Sequence, residues 1–154
     1  MSARREAPGT DGGSRLISPE RLLADAGVRP TPARRAVLAC LLEAGTPMSH
    51  GELGLLPELR GMDRVTLYRT LHALNRARLV HAVEGVDGVW RYRAHAPVLA
   101  GCPGDHPHFL CESCGRMWCL TDQRLPQVQV PEDLMVRGKQ LVVYGLCREC
   151  RERS

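Results

Sequence analysis

Two Cys-x-x-Cys pairs constrain this chain more than any other feature: Cys111-Glu-Ser-Cys114, and Cys147-Arg-Glu-Cys150 near the end. A two-residue gap lets both thiolates of a pair reach one metal from a tight knuckle. Zinc in structural sites takes four thiolates in a tetrahedron with arms of ~2.3 Å. Gly115, just after the first pair, suits the turn because glycine tolerates positive φ. Leu110 before the first pair, and Val142, Val143, Tyr144 and Leu146 before the second, read as short strands that present the knuckles. The same spacing allows two disulfides. Nothing in the sequence marks secretion, and a reducing cytosol favours metal over disulfide. The expectation is a structural zinc on Cys111, Cys114, Cys147 and Cys150.

The 154 residues suffice for one domain or two small ones. No run approaches the ~18 apolar residues of a membrane span. Residues 1–17 are rich in Gly, Ser, Pro and charge, without the apolar stretch of a secretory signal, and are expected to form a disordered tail. These features imply a cytoplasmic protein with no membrane partner. A formal charge of +4 permits a nucleic-acid partner without demanding one. The single Phe, Phe109, argues against a stacking platform for single strands.

The first half carries four helix starts. Ser18-Pro19-Glu20 supplies an N-cap, a proline in the first turn and an acid, with Gly27 as the stop. Thr31-Pro32 repeats the signal, and Val37, Leu38, Leu41 and Leu42 follow at helical spacing up to Gly45. Ser49-His-Gly-Glu52 is a capping box, and Pro57 ends or kinks its helix. Asp63 caps a fourth helix, from Arg64 to about Arg78. On that helix Leu67, Leu71 and Leu74 share one face, with Arg69 and Arg76 opposite. A buried leucine stripe and an arginine face, preceded by a short helix, fit a helix-turn-helix, although a plain amphipathic surface helix has the same pattern. Two β-rich runs follow, 79–83 and 89–93, with the turn Asp87-Gly88 between them. A hairpin after a helix-turn-helix makes a winged helix, whose wing places Arg91 or Arg93 near phosphate.

Four motifs now resemble one family. Gly27-Val-Arg29-Pro-Thr31-Pro-Ala-Arg34-Arg35, Val65-Thr66-Leu67-Tyr68-Arg69, His106-Pro-His108-Phe-Leu-Cys111-x-x-Cys114-Gly115 and Tyr144-Gly145-Leu-Cys147-x-x-Cys150 look like the signatures of the ferric uptake regulator family, in the same order. The resemblance spans about residues 18 to 150. It implies an α+β fold: a winged-helix DNA-binding domain over 18–93, a hinge over 94–105, and a small α/β dimerisation and metal-binding domain over 106–154. It implies a homodimeric repressor that binds palindromic operators of metal-uptake genes in double-stranded DNA, and no enzyme. Tyr68 and Arg69 match the family's base and backbone contacts. Arg64, Arg76 and Thr66 join them from their place on the same helix.

Three cysteines lie outside the knuckles. Cys40, in the apolar stripe of the second helix, reads as a small buried hydrophobe. Cys102 and Cys119 fall among His81, His95, His106 and His108, although any single histidine there, His95 above all, is ordinarily solvated. The resemblance to zinc-sensing members points to His81, Cys102, His106 and His108 as a regulatory metal site, with Cys119 as a rival ligand. Family members usually carry Glu where this chain has Cys119 and Arg93. Losing carboxylates and gaining a thiolate suits Zn2+ better than Mn2+ or Fe2+. Pro107 and Lys139 stand where ligands of the family's other dimerisation-domain site are usual, so that site is expected to be lost. The stretch Leu125-Pro-Gln-Val-Gln-Val-Pro131 breaks the helix usual between the Cys pairs.

The expected function is zinc-corepressed transcription control. The nearest alternative keeps the family and makes the signal manganese, iron or peroxide, with Asp105 the one nearby acid. A zinc hydrolase lacks a base motif such as H-E-x-x-H. A zinc-ribbon interaction module would not need the arginine face.

Overall fold

A computed structural model describes residues 18–95 and 105–154. The expected tail, most of the expected hinge, and Cys102 lie outside the described residues.

The helices begin where their caps predict. Ser18 accepts from the Arg21 N–H and opens α1, Pro19–Asp25. Thr31 accepts from the Arg34 N–H and opens α2, Pro32–Ala44, which Gly45 stops at φ 61°. The Arg34 guanidinium also donates to the Arg29 carbonyl at 2.9 Å. The motif from Gly27 to Arg34 is therefore a helix-entry device, with Gly27 at φ 69°. The capping box of Ser49 and Glu52 is complete and starts α3, His50–Gly54. Pro57 follows in the first position of a 3-10 turn, Pro57–Leu59, where its missing N–H costs nothing. Asp63 caps α4, Arg64–Arg76. The helix ends two residues short of the expected Arg78, where the chain turns at φ 58°.

Leu67, Leu71 and Leu74 of α4 are fully buried against Leu22, Leu23, Val37, Leu38, Leu41 and Leu53. Burying each such side chain contributes about 1.5–3 kcal/mol. Cys40 lies in the same core, as expected of a small apolar residue, and desolvation raises its thiol pKa.

The wing is β2, Val80–Glu84, antiparallel to β3, Trp90–Ala94, with the short β1, Met48–Ser49, on the far side of β3. Gly88 takes φ 74° in the connecting turn. Cross-strand partners share a sheet face. Val80 pairs with Ala94 and Ala82 with Tyr92, and that face packs on the helical core. His81 pairs with Arg93 and Val83 with Arg91, and that face meets the C-terminal half. There Val83 joins Leu110, Met117 and Val142 in a second small core.

The strands of the hairpin are thus packed on both faces, which corrects the expectation for Arg91, whose side chain is buried away from any phosphate. Arg91 is 4% exposed, and Arg93 shares its face and is half-buried.

The C-terminal sheet has the order β5-β4-β6: β4 is His108–Cys111, β5 is Met117–Cys119 and β6 is Val142–Gly145. The strand β4 lies in the middle, antiparallel to β5 and parallel to β6. The reason is the knuckles: two parallel neighbours that end level bring both Cys pairs to one point. No helix forms between β5 and β6, and residues 126–141 are exposed throughout. A last short helix, α5, Arg148–Glu152, carries Cys150.

Candidate metal centres and nucleic-acid interface

The first centre forms where β4 and β6 end. Cys111 pairs in register with Gly145, and the Glu112 N–H donates to the Gly145 carbonyl at 2.8 Å. Gly115, at φ 71°, closes the first knuckle with its N–H on the Cys111 carbonyl. Cys147 is the N-cap of α5. All four sulfurs lie within 4.8 Å of one another, and the thiols are free. Sγ of Cys114 and Sγ of Cys147 are 3.9 Å apart. A tetrahedron with ~2.3 Å arms has edges of ~3.8 Å, so the spacing fits a metal and not a bond between sulfurs.

The electrostatics agree. The backbone N–H groups of Cys114 and Cys147 hold the Cys111 thiol down at about 6. The Arg116 N–H favours the Cys114 thiolate, but desolvation and the thiols of Cys111, Cys150 and Cys147 outweigh it, pushing Cys114 up to about 11. Four thiols this close cannot all ionise unless a cation offsets their repulsion.

The second centre lies between the wing and the C-terminal sheet. His81 on β2, His106 just before β4, His108 on β4 and Cys119 on β5 bring one ligand atom each within 4.8 Å. Strand register produces this. His108 pairs with Cys119, and Leu110 with Met117, so all four residues share the buried face toward the wing. His81 shares its own face with Val83, which packs in the same small core. The His81 ring is 5.6 Å from that of His108 and 5.8 Å from that of His106, and those two are 4.6 Å apart.

His106 and His108 are almost wholly buried. Both ring nitrogens of His108 lack a hydrogen-bond partner. Leaving a buried polar group unmet costs about 1–3 kcal/mol, so a fold that keeps such a histidine calls for a ligand there. Desolvation lowers the pKa of His106, which keeps it neutral and able to coordinate. The donor set is three imidazoles and one thiol, borderline to soft, and it fits zinc. His95 lies beside this group, its ring 4.9 Å from that of His81, without contributing one of the four atoms. Asp105 is exposed and faces Lys139 at 3.9 Å. Lys139 also donates to the Pro126 carbonyl at 3.4 Å, and it lines the same cavity as His81, His106 and His108.

The candidate nucleic-acid face is the outer side of α4. Arg64, Val65, Tyr68, Arg69, His72 and Arg76 are all exposed on it. Tyr68 is 59% exposed and stacks near His72, with ring centroids 6.4 Å apart. A large aromatic held outward on a rigid helix is the kind of group a partner covers. His50, at the start of α3, donates from its ring to the Arg64 carbonyl at 3.0 Å, fixing the two helices at the turn. Together His50, Arg64, Val65 and Tyr68 line a shallow concavity. Thr66 donates its hydroxyl to Asp63 at 2.6 Å and donates its N–H to the same carboxylate, so its polar atoms serve the cap. Sequence reasoning missed His50. Its signal was the capping box, which places it at the first position of the helix leading into the turn.

Comparison with known proteins agrees with this architecture. Residues 25–142 match the model of the ferric uptake regulator family. The peroxide-responsive repressor PerR of Staphylococcus aureus is 27% identical over 140 residues, covering 85% of this chain and 88% of its own. A zinc uptake regulator solved with zinc and DNA shares the fold at a TM-score of 0.62 and 24% identity, over 90% of this chain and 93% of its own. Holo XcZur matches at 0.52 and 27% identity, over 86% and 94%. Among the described residues no helix is long and apolar enough to cross a membrane. With its mixed helix-and-sheet fold and a cysteine cluster able to hold metal, the chain belongs to the ferric uptake regulator family of metal-responsive, DNA-binding transcription regulators and is not an enzyme.

Proposed function

We propose that the protein is a zinc-responsive repressor that binds palindromic operators as a homodimer. The observation that carries the choice of metal is the donor set between the halves. His81, His106, His108 and Cys119 converge with no carboxylate among the four ligand atoms. Sites for manganese and ferrous iron favour oxygen, and this group offers none. The zinc on Cys111, Cys114, Cys147 and Cys150 is structural: four thiolates close the coordination shell. Cys102, the ligand the sequence resemblance also suggests, lies outside the described residues.

In this reading residues 18–93 are the DNA-reading unit, 94–105 the hinge and 106–154 the metal-binding and dimerising unit. Tyr68 contacts a base, Arg69 the backbone, and Arg64 and Arg76 neighbouring phosphates. The free edge of β6, with exposed Val143 and Tyr144, is the surface through which two copies associate. A two-fold dimer sets its α4 helices about one turn of DNA apart.

Zinc supplies a bond between halves, because His81 comes from the wing and the other three ligands from the C-terminal sheet. Binding favours the arrangement in which all four groups meet, a shift of population toward the DNA-competent dimer. To invert a 1:99 ratio the metal must bind that arrangement ~10⁴-fold better.

The similarity to PerR makes a peroxide-responsive relative the second reading. Operator binding titrated with zinc, manganese and ferrous iron in turn separates the two. The zinc reading predicts that zinc acts at the lowest free concentration, and fails if manganese or iron restores binding where zinc does not.

A further inference from the structure

Arg91 holds the only fully buried guanidinium among the described residues, and the metal and DNA sites above make no use of it. A buried Arg requires partners for its donors. Two groups of its fork meet Asp87, from NH1 at 3.1 Å and NH2 at 2.8 Å, and NH1 also donates to the Val89 carbonyl. These three bonds stay within the wing. The fourth leaves it: Nε donates to the carbonyl of Gly115 at 3.0 Å. Gly115 is the residue that closes the first Cys knuckle.

A second contact runs beside it. The Gln140 side-chain amide pairs with the open edge of β2, donating to the Glu84 carbonyl at 3.0 Å and accepting from its N–H at 3.4 Å. Gly85 makes room for the first contact. A Cβ there would collide with Asp87 Oδ1, and would lie 2.7 Å from NH1 of Arg91 and 3.0 Å from Leu110.

We infer that Arg91 is a positioning residue, a latch that ties the wing to the zinc knuckle and sets how much regulatory zinc is needed to bind DNA. The reasoning follows the register. Arg91 stands opposite Val83 on the face that also carries His81. Fixing Arg91 to Gly115 therefore fixes the strand pair that brings His81 to His106, His108 and Cys119. The latch consists of protein groups alone, so it acts before the second metal arrives. Its energy lowers the cost of closing the halves, and zinc supplies the remainder. Zinc held by Cys111, Cys114, Cys147 and Cys150 would keep the knuckle, and with it the Gly115 carbonyl, in this position.

This inference rests on the zinc-responsive reading, and the experiment separates the two. Operator binding is measured against free zinc for the full-length dimer and for Arg91→Met and Gly85→Ala. The first removes the guanidinium; the second displaces it while leaving both partners present. Structural zinc content and the circular-dichroism spectrum are recorded for each. The latch predicts that both variants keep one tightly held zinc per chain. It predicts that the zinc concentration at half-maximal operator binding rises by about tenfold, within the 5–150-fold range of typical couplings. It further predicts that saturating zinc restores full affinity. An Arg91 that only stiffens the wing would weaken operator binding at every zinc concentration with an unchanged midpoint, and that result overturns the inference. An unchanged midpoint and unchanged affinity in a folded variant overturns it equally. If the unaltered protein shows no zinc dependence, the underlying reading fails instead.

Discussion

His108 and Cys119 face each other across the β4–β5 pair, an imidazole and a thiol placed side by side by strand register alone. That pairing supplies half of the candidate regulatory site from one hairpin of the C-terminal sheet. His106 is set two residues earlier on the same strand approach, and His81 arrives from the wing. The two halves of the chain meet at a group of metal ligands and at a small apolar core.

Cys119 is consequently expected to bind metal in its own right. Cys119→Ser should leave a folded protein with its structural zinc while weakening the second zinc by more than the 10–100-fold typical of an outer-shell change. Competition with a chromophoric chelator measures this. Cys102→Ser run in parallel shows which thiol the site depends on. Undiminished affinity in Cys119→Ser would remove it from the ligand set.

The knuckle cysteines should behave differently. Cys111→Ser or Cys147→Ser removes the structural zinc, whose binding in small zinc modules contributes ~10 kcal/mol or more. The sheet β5-β4-β6 has only a small core of Val83, Leu110 and Met117 to fall back on. The expected outcome is a C-terminal half that loses its amide protection in hydrogen exchange while α1 to α4 keep theirs. A variant that stays fully protected would show that the metal is dispensable.

On α4 the two candidate contacts have separable signatures. Arg69→Ala should weaken binding to operator and random DNA alike and lower the salt slope by about one. Tyr68→Ala should weaken operator binding more than random binding, by about 1–3 kcal/mol if the ring reads a base. Fluorescence anisotropy across a salt series distinguishes them. Equal losses for Tyr68→Ala on both DNAs would count against base reading.

The cap of α4 gives a pH dependence. The hydroxyl and N–H of Thr66 hold the Asp63 carboxyl below its ordinary value. A group depressed in the folded state adds stability above its unfolded pKa, near 3.9, and loses it as pH falls through the folded value. Thermal unfolding should therefore show a fall below about pH 4 that is shallower in Asp63→Asn, where the cap remains and the charge does not. Identical slopes would mean that other carboxylates set the acid limb.

Much of this was legible in the residues. Ser18, Thr31, Ser49 and Asp63 announced all four N-terminal helices, because a side-chain cap is a local device readable at a fixed spacing. The Cys pairs announced the first metal centre for the same reason. What escaped was non-local. Nothing in the order of residues said that β4 would lie between its neighbours, since pairing depends on where distant chain segments meet. Cys119 stood in the sequence as a rival ligand, and only register sets it opposite His108. Arg91 looked like a wing cation, because alternation along a strand gives two faces without saying which one another unit will cover.

The central claim is that zinc joins the wing to the C-terminal sheet through His81, His106, His108 and Cys119. Zinc per chain, measured before and after mild chelation with operator binding followed in both states, tests it most directly. The account predicts two zincs falling to one, operator binding lost with the second, and recovery on returning zinc. A constant single zinc, with operator binding recovered by manganese or ferrous iron, would contradict it.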